Sequence, residues 1–202
     1  MGVHGLGISD LTGIEDFTAL TSLNAGDNLL TSIDVSQNTA LTYLQLGANQ
    51  LDDLDVSANT ALTQLYCRTN NLTSLDLSNN TALEHLRCHT NQLTSLDVSA
   101  NTALDSLWCQ DNQLTSLNVS QNTDLITLRA HGNNLTSVNV KNGNSSNWQN
   151  YDITGSPGGS LYVDSIPAGG AFCCIANSAC VWSGGQNEWF DTGSSGIWEF
   201  FL

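Results

Sequence analysis

One unit of 21 residues is repeated along most of the chain, and it restricts the fold more than any other feature. Four copies beginning Asn-Thr-Ala-Leu align without a gap over residues 38–58, 59–79, 80–100 and 101–121. A divergent copy follows at 122–142, and a partial copy precedes them at 20–37. A single copy cannot bury its own apolar side, so neighbouring copies must stack. The sequence therefore predicts an elongated solenoid of about six coils.

The apolar positions of the repeat indicate the local structure of each coil. Aligned copies share six apolar columns, and two stretches in each copy alternate between apolar and polar residues. Alternate side chains of a strand point to opposite faces. We therefore predict a mainly β fold with two short parallel strands per coil and little or no α-helix. One Asn recurs in every coil, which predicts an inward amide that satisfies backbone groups at a bend: Asn28, Asn49, Asn70, Asn91, Asn112 and Asn133.

The repeat resembles that of a known class of proteins. The spacing L-x-x-L-x-[LC]-x-x-N-x-L-x-x-L-D-V is similar to the short 21-residue leucine-rich repeats of bacterial surface proteins. The string LTSLDVSxNTALTxLxC is typical of the Bacteroidetes group, and the start, ISDLTGIEDFTALTSL, resembles the entry repeat of internalin-type proteins. The resemblance covers residues 8–142. It implies a leucine-rich-repeat solenoid and a place at the cell surface, but it says almost nothing about the ligand.

The composition excludes several classes of partner. Nineteen acidic residues against four basic ones give a net charge of −15. Nucleic acid and anionic membrane both require clustered positive charge, so we expect neither as a partner. No apolar run approaches the roughly 20 residues of a membrane span. The first residues do not form a signal peptide, so such a segment is either absent or has been removed, and we expect an extracellular or cell-surface protein.

Three segments are expected along the chain: an entry segment at 1–19, the solenoid at 20–143 and a capping segment at 144–202. The last segment is rich in Gly and aromatic residues, which suits a cover for the exposed core of the final coil. The six cysteines divide between these parts. Cys67, Cys88 and Cys109 occupy one apolar column, where we interpret them as small buried hydrophobic residues rather than a metal or redox ladder. Cys173, Cys174 and Cys180 lie in the capping segment, where one disulfide is plausible but its pairing is open.

The outward residues of the two strands differ in how much they vary from one coil to the next. Those of the second strand repeat Ser and Asp from coil to coil, which is typical of a structural solution copied with the repeat. Those of the first strand vary, and they hold three of the four basic residues, three of the four histidines and the only tryptophan within the repeats. Trp, Tyr and Arg often carry the binding energy of interfaces. We therefore predict a ligand-binding face made of Tyr43, Tyr66, Arg68, His85, Arg87, His89, Trp108, Arg129 and His131.

The function expected from this face is non-enzymatic recognition of a protein or glycan, including an anionic one. No catalytic motif, metal site or cofactor site is expected, because the Ser and Asp residues are copies in a ladder rather than a convergent constellation. His85, His89 and His131 are too dispersed for a tight metal site. Two alternatives remain open: binding of ice or a mineral surface through ranks of Thr, and a purely structural stalk. The oligomeric state and the identity of the ligand are not indicated.

Overall fold

Short strands make up nearly all the regular structure of the described residues. The computed structural model describes residues 1–144, 150–153, 160–162, 181–183, 188–191 and 198–201. In these ranges a 3-10 turn, Ile14–Asp16, precedes thirteen strands, and no helix is long and apolar enough to cross a membrane. The strands are β1 (Ser22–Asn24), β2 (Tyr43–Gln45), β3 (Gln64–Tyr66), β4 (His85–Arg87), β5 (Ser106–Trp108), β6 (Ser116–Asn118), β7 (Thr127–Arg129), β8 (Ser137–Asn139), β9 (Asn150–Asp152), β10 (Ser160–Tyr162), β11 (Val181–Ser183), β12 (Glu188–Asp191) and β13 (Trp198–Phe201).

Seven strands form a parallel sheet, here called the first sheet, in the order β1-β2-β3-β4-β5-β7-β9. Each of the first six is the first strand of one coil, and the register joins equivalent positions of successive copies. Leu44, for example, pairs with Leu65, and Leu65 pairs with Leu86. The stack of parallel strands in about six coils confirms the mainly β solenoid predicted from the repeat.

The other six strands form the second sheet, in the order β6-β8-β10-β12-β13-β11. Strands β6, β8 and β10 are parallel, and β12 then pairs antiparallel with both β10 and β13. Strands β9 and β10 thus continue the two sheets beyond the last clear copy of the repeat. Most of the predicted capping segment, including Cys173, Cys174 and Cys180, lies outside the described residues. The boundary at residue 144 stays a prediction.

The second strand of the repeat forms in fewer coils than the alternation predicts. Among the first six coils it forms only as β6 and β8, and these pair with each other through Asn118 and Asn139. The four preceding coils have Asp at that position: Asp34, Asp55, Asp76 and Asp97. Like charges directly opposite each other disfavour strand pairing. We attribute the absence of the second strand in these coils to repulsion within this column of carboxylates. In the two coils where the strands do pair, the same position is a neutral Asn.

The core is a continuous column of aliphatic side chains enclosed between the two sides of each coil. The six predicted apolar columns are buried in all five complete copies of the repeat. In the partial first copy, Leu20 and Ile33 are only partly buried. Burying one aliphatic side chain contributes about 1.5–3 kcal/mol. Because each coil covers its neighbours, the stack gains this burial along its whole length.

The predicted Asn ladder ties every coil to the one before it. In the third coil, the Asn70 side-chain nitrogen donates to the carbonyls of Leu46 (3.0 Å) and Cys67 (3.1 Å). Its Oδ1 accepts from the backbone N–H of Leu51 at 3.0 Å. Leu46 and Leu51 belong to the preceding coil, so one amide bridges two coils. In the first coil, Asn28 makes the corresponding bonds to the entry segment, where its Oδ1 accepts from the N–H groups of Leu6 and Ile8.

A second Asn ladder, whose members are not among the predicted residues, runs along the start of each copy. It consists of Asn38, Asn59, Asn80, Asn101 and Asn122, all fully buried. The Asn80 side chain donates to the carbonyls of Val56 and Asn59, both at 3.0 Å, and the other members repeat this pattern. Each coil is therefore held to its predecessor by two amides at separate bends.

Removing one amide from the first ladder should destabilise the whole stack. Asn70→Ala leaves the Leu51 N–H buried without its partner, which costs about 1–3 kcal/mol, whereas the carbonyls of Leu46 and Cys67 each keep a second bond, from Asn49 and Asn91. We expect a loss of about 1–3 kcal/mol in the free energy of unfolding, measured by urea titration with circular dichroism. The matched control is Asn71→Ala, at the adjacent exposed position, with an expected change within ~0.5 kcal/mol. Equal losses in the two variants would contradict a bridging role for Asn70.

The Asp column predicts a response to acid. The backbone N–H and then the hydroxyl of Ser78 hold the pKa of Asp76 below 3.8, its ordinary value. A lowered pKa in the folded state contributes stability above the unfolded-state pKa, and that stability is lost as the pH falls through the folded-state value. An Asn at this position accepts the same backbone bond but does not titrate. Asn118, for example, accepts from the Ser120 N–H at 3.1 Å. Asp76→Asn should therefore lose less stability than the wild type between pH 5 and pH 2, measured by urea midpoints. The control is Asp52→Asn, which removes one exposed negative charge outside the Asp column. If Asp52→Asn kept as much stability at low pH as Asp76→Asn, the effect could not be assigned to the Asp column.

Candidate functional site

The nine residues predicted for ligand binding lie on one side of the first sheet. The middle residue of each strand is a buried Leu, whereas the first and third residues point outward and are mostly half-buried. Arg68, His89 and His131 follow one buried position after their strands and therefore share that side. We call these nine residues the aromatic–arginine face: Tyr43, Tyr66, Arg68, His85, Arg87, His89, Trp108, Arg129 and His131.

The centre of this face is an alternating stack of rings and guanidinium groups. Tyr66, Arg87, Trp108 and Arg129 occupy the third position of β3, β4, β5 and β7, and the register pairs each with the next. The guanidinium carbon of Arg87 lies 4.7 Å from the Tyr66 ring centroid and 4.2 Å from that of Trp108. The guanidinium carbon of Arg129 lies 4.0 Å from the same Trp108 ring. These cation–π distances are well inside the usual limit of about 6 Å.

Two further rings flank the central stack. Tyr43 meets Tyr66 edge to face, with ring centroids 5.6 Å apart and an interplanar angle of 88°. The Tyr66 hydroxyl donates to Gln64 Oε1 at 3.0 Å, which fixes the orientation of its ring. On the other flank, the His89 ring is tilted against Trp108 at 6.0 Å. The face thus presents rings and one intervening guanidinium in contact across four coils, from β2 to β5.

Arg68 is placed by the glycine of the preceding coil. A side chain at position 47 would meet Arg68 Cγ at 2.8 Å and the Arg68 carbonyl oxygen at 3.3 Å. The stem of Arg68 therefore lies across the backbone at Gly47, in space that any larger residue would fill. This column of the repeat carries Gly in the first two coils and long polar side chains afterwards, which makes room for the arginine.

The three histidines of the face have separate partners and do not converge. His85 Nδ1 lies 2.7 Å from Asp105 Oδ1, and His131 Nδ1 lies 3.0 Å from Asp152 Oδ2. Neither contact is aligned as a hydrogen bond, so each becomes an attractive ion pair only when the imidazole is protonated. His89 faces Trp108 and Thr90 instead. In the described part of the chain, no three His, Cys, Asp or Glu side chains are grouped as metal ligands.

The arginines of the face have no carboxylate partner in the described ranges. The ion pairs found there are those of His4 with Asp27, His85 with Asp105 and His131 with Asp152. Arg68, Arg87 and Arg129 are absent from this set, although the chain has nineteen acidic residues. The guanidinium groups of Arg87 and Arg129 lie over aromatic rings, and no carboxylate of the described residues forms an ion pair with them.

Solved structures share this architecture. The functional domain of InlJ from Listeria monocytogenes, described as including a cysteine ladder, is 37% identical over 83% of this chain and 40% of its own, with a TM-score of 0.61. An internalin C2 from Listeria monocytogenes is 22% identical over 82% of this chain and 73% of its own, with a TM-score of 0.67. The chain has an internalin-like leucine-rich-repeat fold. A structure of an LRIM1/APL1C complex has the same fold at 20% identity, covering 80% of this chain and 31% of its own, with a TM-score of 0.64. No family model and no curated protein matches the chain.

The extent of these matches limits what they show. This leucine-rich-repeat chain spans less than half of the InlJ structure, and both internalin C2 and the LRIM1/APL1C complex match at low identity. They show the fold and the stacking of the coils. The role of the aromatic–arginine face must be argued from its own residues.

The cysteine column of the solenoid is consistent with a structural role. Cys67, Cys88 and Cys109 are free thiols with no exposed surface. Burial raises the pKa of Cys67 and Cys109 to about 12, so these thiols stay protonated and unreactive at neutral pH. The prediction of small buried hydrophobic residues agrees with both observations. The InlJ domain also includes a cysteine ladder, and here three equivalent positions of successive coils carry one.

Sequence reasoning missed several residues that shape the face. Asp105 precedes β5 by one position, so its contact with His85 runs diagonally between two coils rather than along a column. Gln110 belongs to an outward column but is buried, with 7% of its surface exposed. Gly47 stands one coil before Arg68 in the same column, and the absence of a side chain there leaves the space that the Arg68 stem occupies.

His89 is the histidine of this face whose pKa is shifted by its surroundings. Burial, and then the charge of Arg68, lowers its pKa below 6.5, with smaller effects from Arg87 and Arg129, while Asp111 opposes them. His89 is therefore neutral at pH 7. Because its folded-state pKa is depressed, protonation opposes folding, and this cost begins as the pH falls below the unfolded-state value.

The neighbour that contributes most to this shift can be tested by substitution. We expect the His89 imidazole to titrate below pH 6.5, followed by its NMR proton shifts. Arg68→Gln should raise the midpoint towards the ordinary value without restoring it fully, because burial remains. The control is Lys141→Gln, which removes a cation in another part of the chain. An unchanged midpoint in Arg68→Gln would exclude the charge of Arg68 as a cause.

Proposed function

We propose that this chain is a non-enzymatic recognition module that binds a protein partner through the aromatic–arginine face. The observation that carries this proposal is the alternating stack of Tyr66, Arg87, Trp108 and Arg129. Half-buried Trp, Tyr and Arg are the residue types that dominate binding energy at interfaces. Stacking holds their side chains in place before binding, which reduces the entropy lost in forming a complex.

The internalin-like fold and the charge favour a protein over other partners. Leucine-rich-repeat structures include the LRIM1/APL1C complex and a TLR13 complex with single-stranded RNA. An RNA partner would need a broad basic surface, whereas this chain has four basic residues and a net charge of −15. A glycan is chemically possible on rings beside hydrogen-bonding groups, but the fold gives it no separate support. We further propose an extracellular or cell-surface location, which the coding sequence upstream of Met1 would test.

Panning a library of random displayed peptides tests the proposal even though the partner is unidentified. Binders are selected on the wild type and measured against Trp108→Ser, which removes the ring shared by two arginines. We expect affinity to fall about tenfold or more, because loss of a hot-spot aromatic costs at least ~2 kcal/mol. The matched control is Ser116→Ala on the second sheet, where no change is expected.

Contrary outcomes are readily recognised. Selected peptides that bind Trp108→Ser as tightly as the wild type would place the binding surface elsewhere. Failure to select any binder, with glycans bound on an array through the same residues, would replace the protein partner by a carbohydrate. Thermal hysteresis of the wild type would favour the ice-binding alternative, which depends on Thr ranks outside this face. A stalk without a ligand predicts no binder in any arm.

A further inference from the structure

We infer that the aromatic–arginine face binds an acidic, extended segment of its protein partner, with Arg87 and Arg129 each holding one carboxylate edge-on. This inference deepens the proposed function and depends on it. It specifies the chemistry of the ligand, the two residues that select it and the spacing of the groups they select.

The first step is the uncompensated charge of the arginines. In the described residues, Arg68, Arg87 and Arg129 have no carboxylate within the 4.0 Å of an ion pair, although acidic residues lie close by. Asp105 contacts His85 instead, and Asp152 contacts His131. These two carboxylates are thus placed against histidines rather than arginines, and the guanidinium groups keep their anion-binding capacity.

The second step is the orientation of the guanidinium groups. Arg87 lies between two aromatic rings, Tyr66 of the preceding strand and Trp108 of the following one, with its guanidinium carbon over both rings. The N–H groups of a guanidinium lie in its plane, and they match the two oxygens of a carboxylate. A sandwiched arginine therefore offers an anion its edge. Because the rings already hold it, less side-chain freedom is lost on binding.

The third step is the spacing of the two arginines. Arg87 and Arg129 contact the same Trp108 ring, at 4.2 and 4.0 Å, so their guanidinium carbons cannot be farther apart than the sum of those distances. Carboxylates on alternate residues of an extended segment lie on one face, roughly 6.6 Å apart. An acidic-x-acidic sequence therefore fits the pair, whereas adjacent acidic residues point to opposite faces and can engage only one arginine.

The fourth step is the limited extent of the positive charge. Arg68, Arg87 and Arg129 form a narrow strip in a chain of net charge −15, with Asp105, Asp111 and Asp152 near its margins. A long polyanion such as RNA or a sulfated glycan would extend past this strip into repulsive surroundings. A short acidic segment ends before it meets them, which favours a protein partner.

Defined peptides test the inference directly. Glu-Tyr-Glu, flanked on both sides by Gly-Ser, is compared by isothermal titration calorimetry with Gln-Tyr-Gln and Glu-Glu-Tyr in the same flanks, on the whole wild-type chain. We expect Glu-Tyr-Glu to bind at least about tenfold more tightly than either, because only it engages both arginines through charge-assisted bonds. A heparin fragment is included as the polyanion arm and should bind no better than Gln-Tyr-Gln.

Variants then distinguish paired hydrogen bonds made by the planar guanidinium of Arg87 from attraction by its positive charge alone. Arg87→Lys keeps the charge but loses the planar edge, so it should weaken Glu-Tyr-Glu by about tenfold and leave Gln-Tyr-Gln unchanged. Asp55→Asn on the opposite side of the coil is the matched control; it alters net charge by one unit and should change the affinity by less than about twofold. Circular dichroism establishes that both variants are folded.

The results that would overturn the inference leave the proposed function distinguishable. Equal binding of the three peptides, or an unchanged affinity for Glu-Tyr-Glu in Arg87→Lys, would show that the arginines do not select paired carboxylates. Panned peptides whose binding depends on Trp108 would still support protein recognition. Tighter binding of heparin than of Glu-Tyr-Glu overturns the inference in favour of a polyanion. If the panned peptides bound Trp108→Ser as tightly as the wild type, the proposed function itself would be contradicted.

Discussion

The inward side-chain amides fix how one coil sits on the next, and the rest of the structure depends on that register. Asn70 bonds to two backbone groups of the preceding coil and one of its own, and Asn80 donates to two further backbone carbonyls at a second bend. Hydrophobic burial drives the coils together, but it is non-directional and would tolerate small shifts. Two buried amides per coil do not tolerate them, because a shift would leave several backbone groups unpaired.

Fixed register turns sequence periodicity into neighbouring positions in space. Residues that are one repeat apart become cross-strand partners in the first sheet, so the order Tyr66, Arg87, Trp108, Arg129 in the chain is also the order of the stack. Each ring then finds a guanidinium beside it, at 4.0–4.7 Å. The buried half of the repeat is nearly invariant, and this leaves the outward half free to vary without disturbing the fold. Structural and recognition roles are thereby separated along the same short strand.

This dependence on register also explains what the sequence could predict. Column membership follows from the backbone alone, so the first sheet, the buried cysteines and the members of the aromatic–arginine face could be read from aligned copies. Side-chain directions could not, because they depend on space left by neighbours, as with Arg68 lying over Gly47. The diagonal contact of His85 with Asp105 crosses columns, and column reading overlooks such pairs. The second strand was predicted in every coil because alternation reports which side chains face inward, but not whether like charges prevent pairing.

The charge on the second side of the solenoid bears on selectivity at the first. The repeated Asp column and the other carboxylates give the chain its net charge of −15, so an acidic partner is repelled over most of the surface. Three of the four basic residues are clustered in the strip of arginines, which offers such a partner an attractive contact. Specificity gains from repulsion at the wrong sites as well as from attraction at the right one. An acidic segment therefore meets clustered positive charge at this strip, whereas a basic segment is attracted to many weakly defined places. The negative net charge is therefore compatible with an acidic ligand, because it repels that ligand from other surfaces and confines it to the arginine strip.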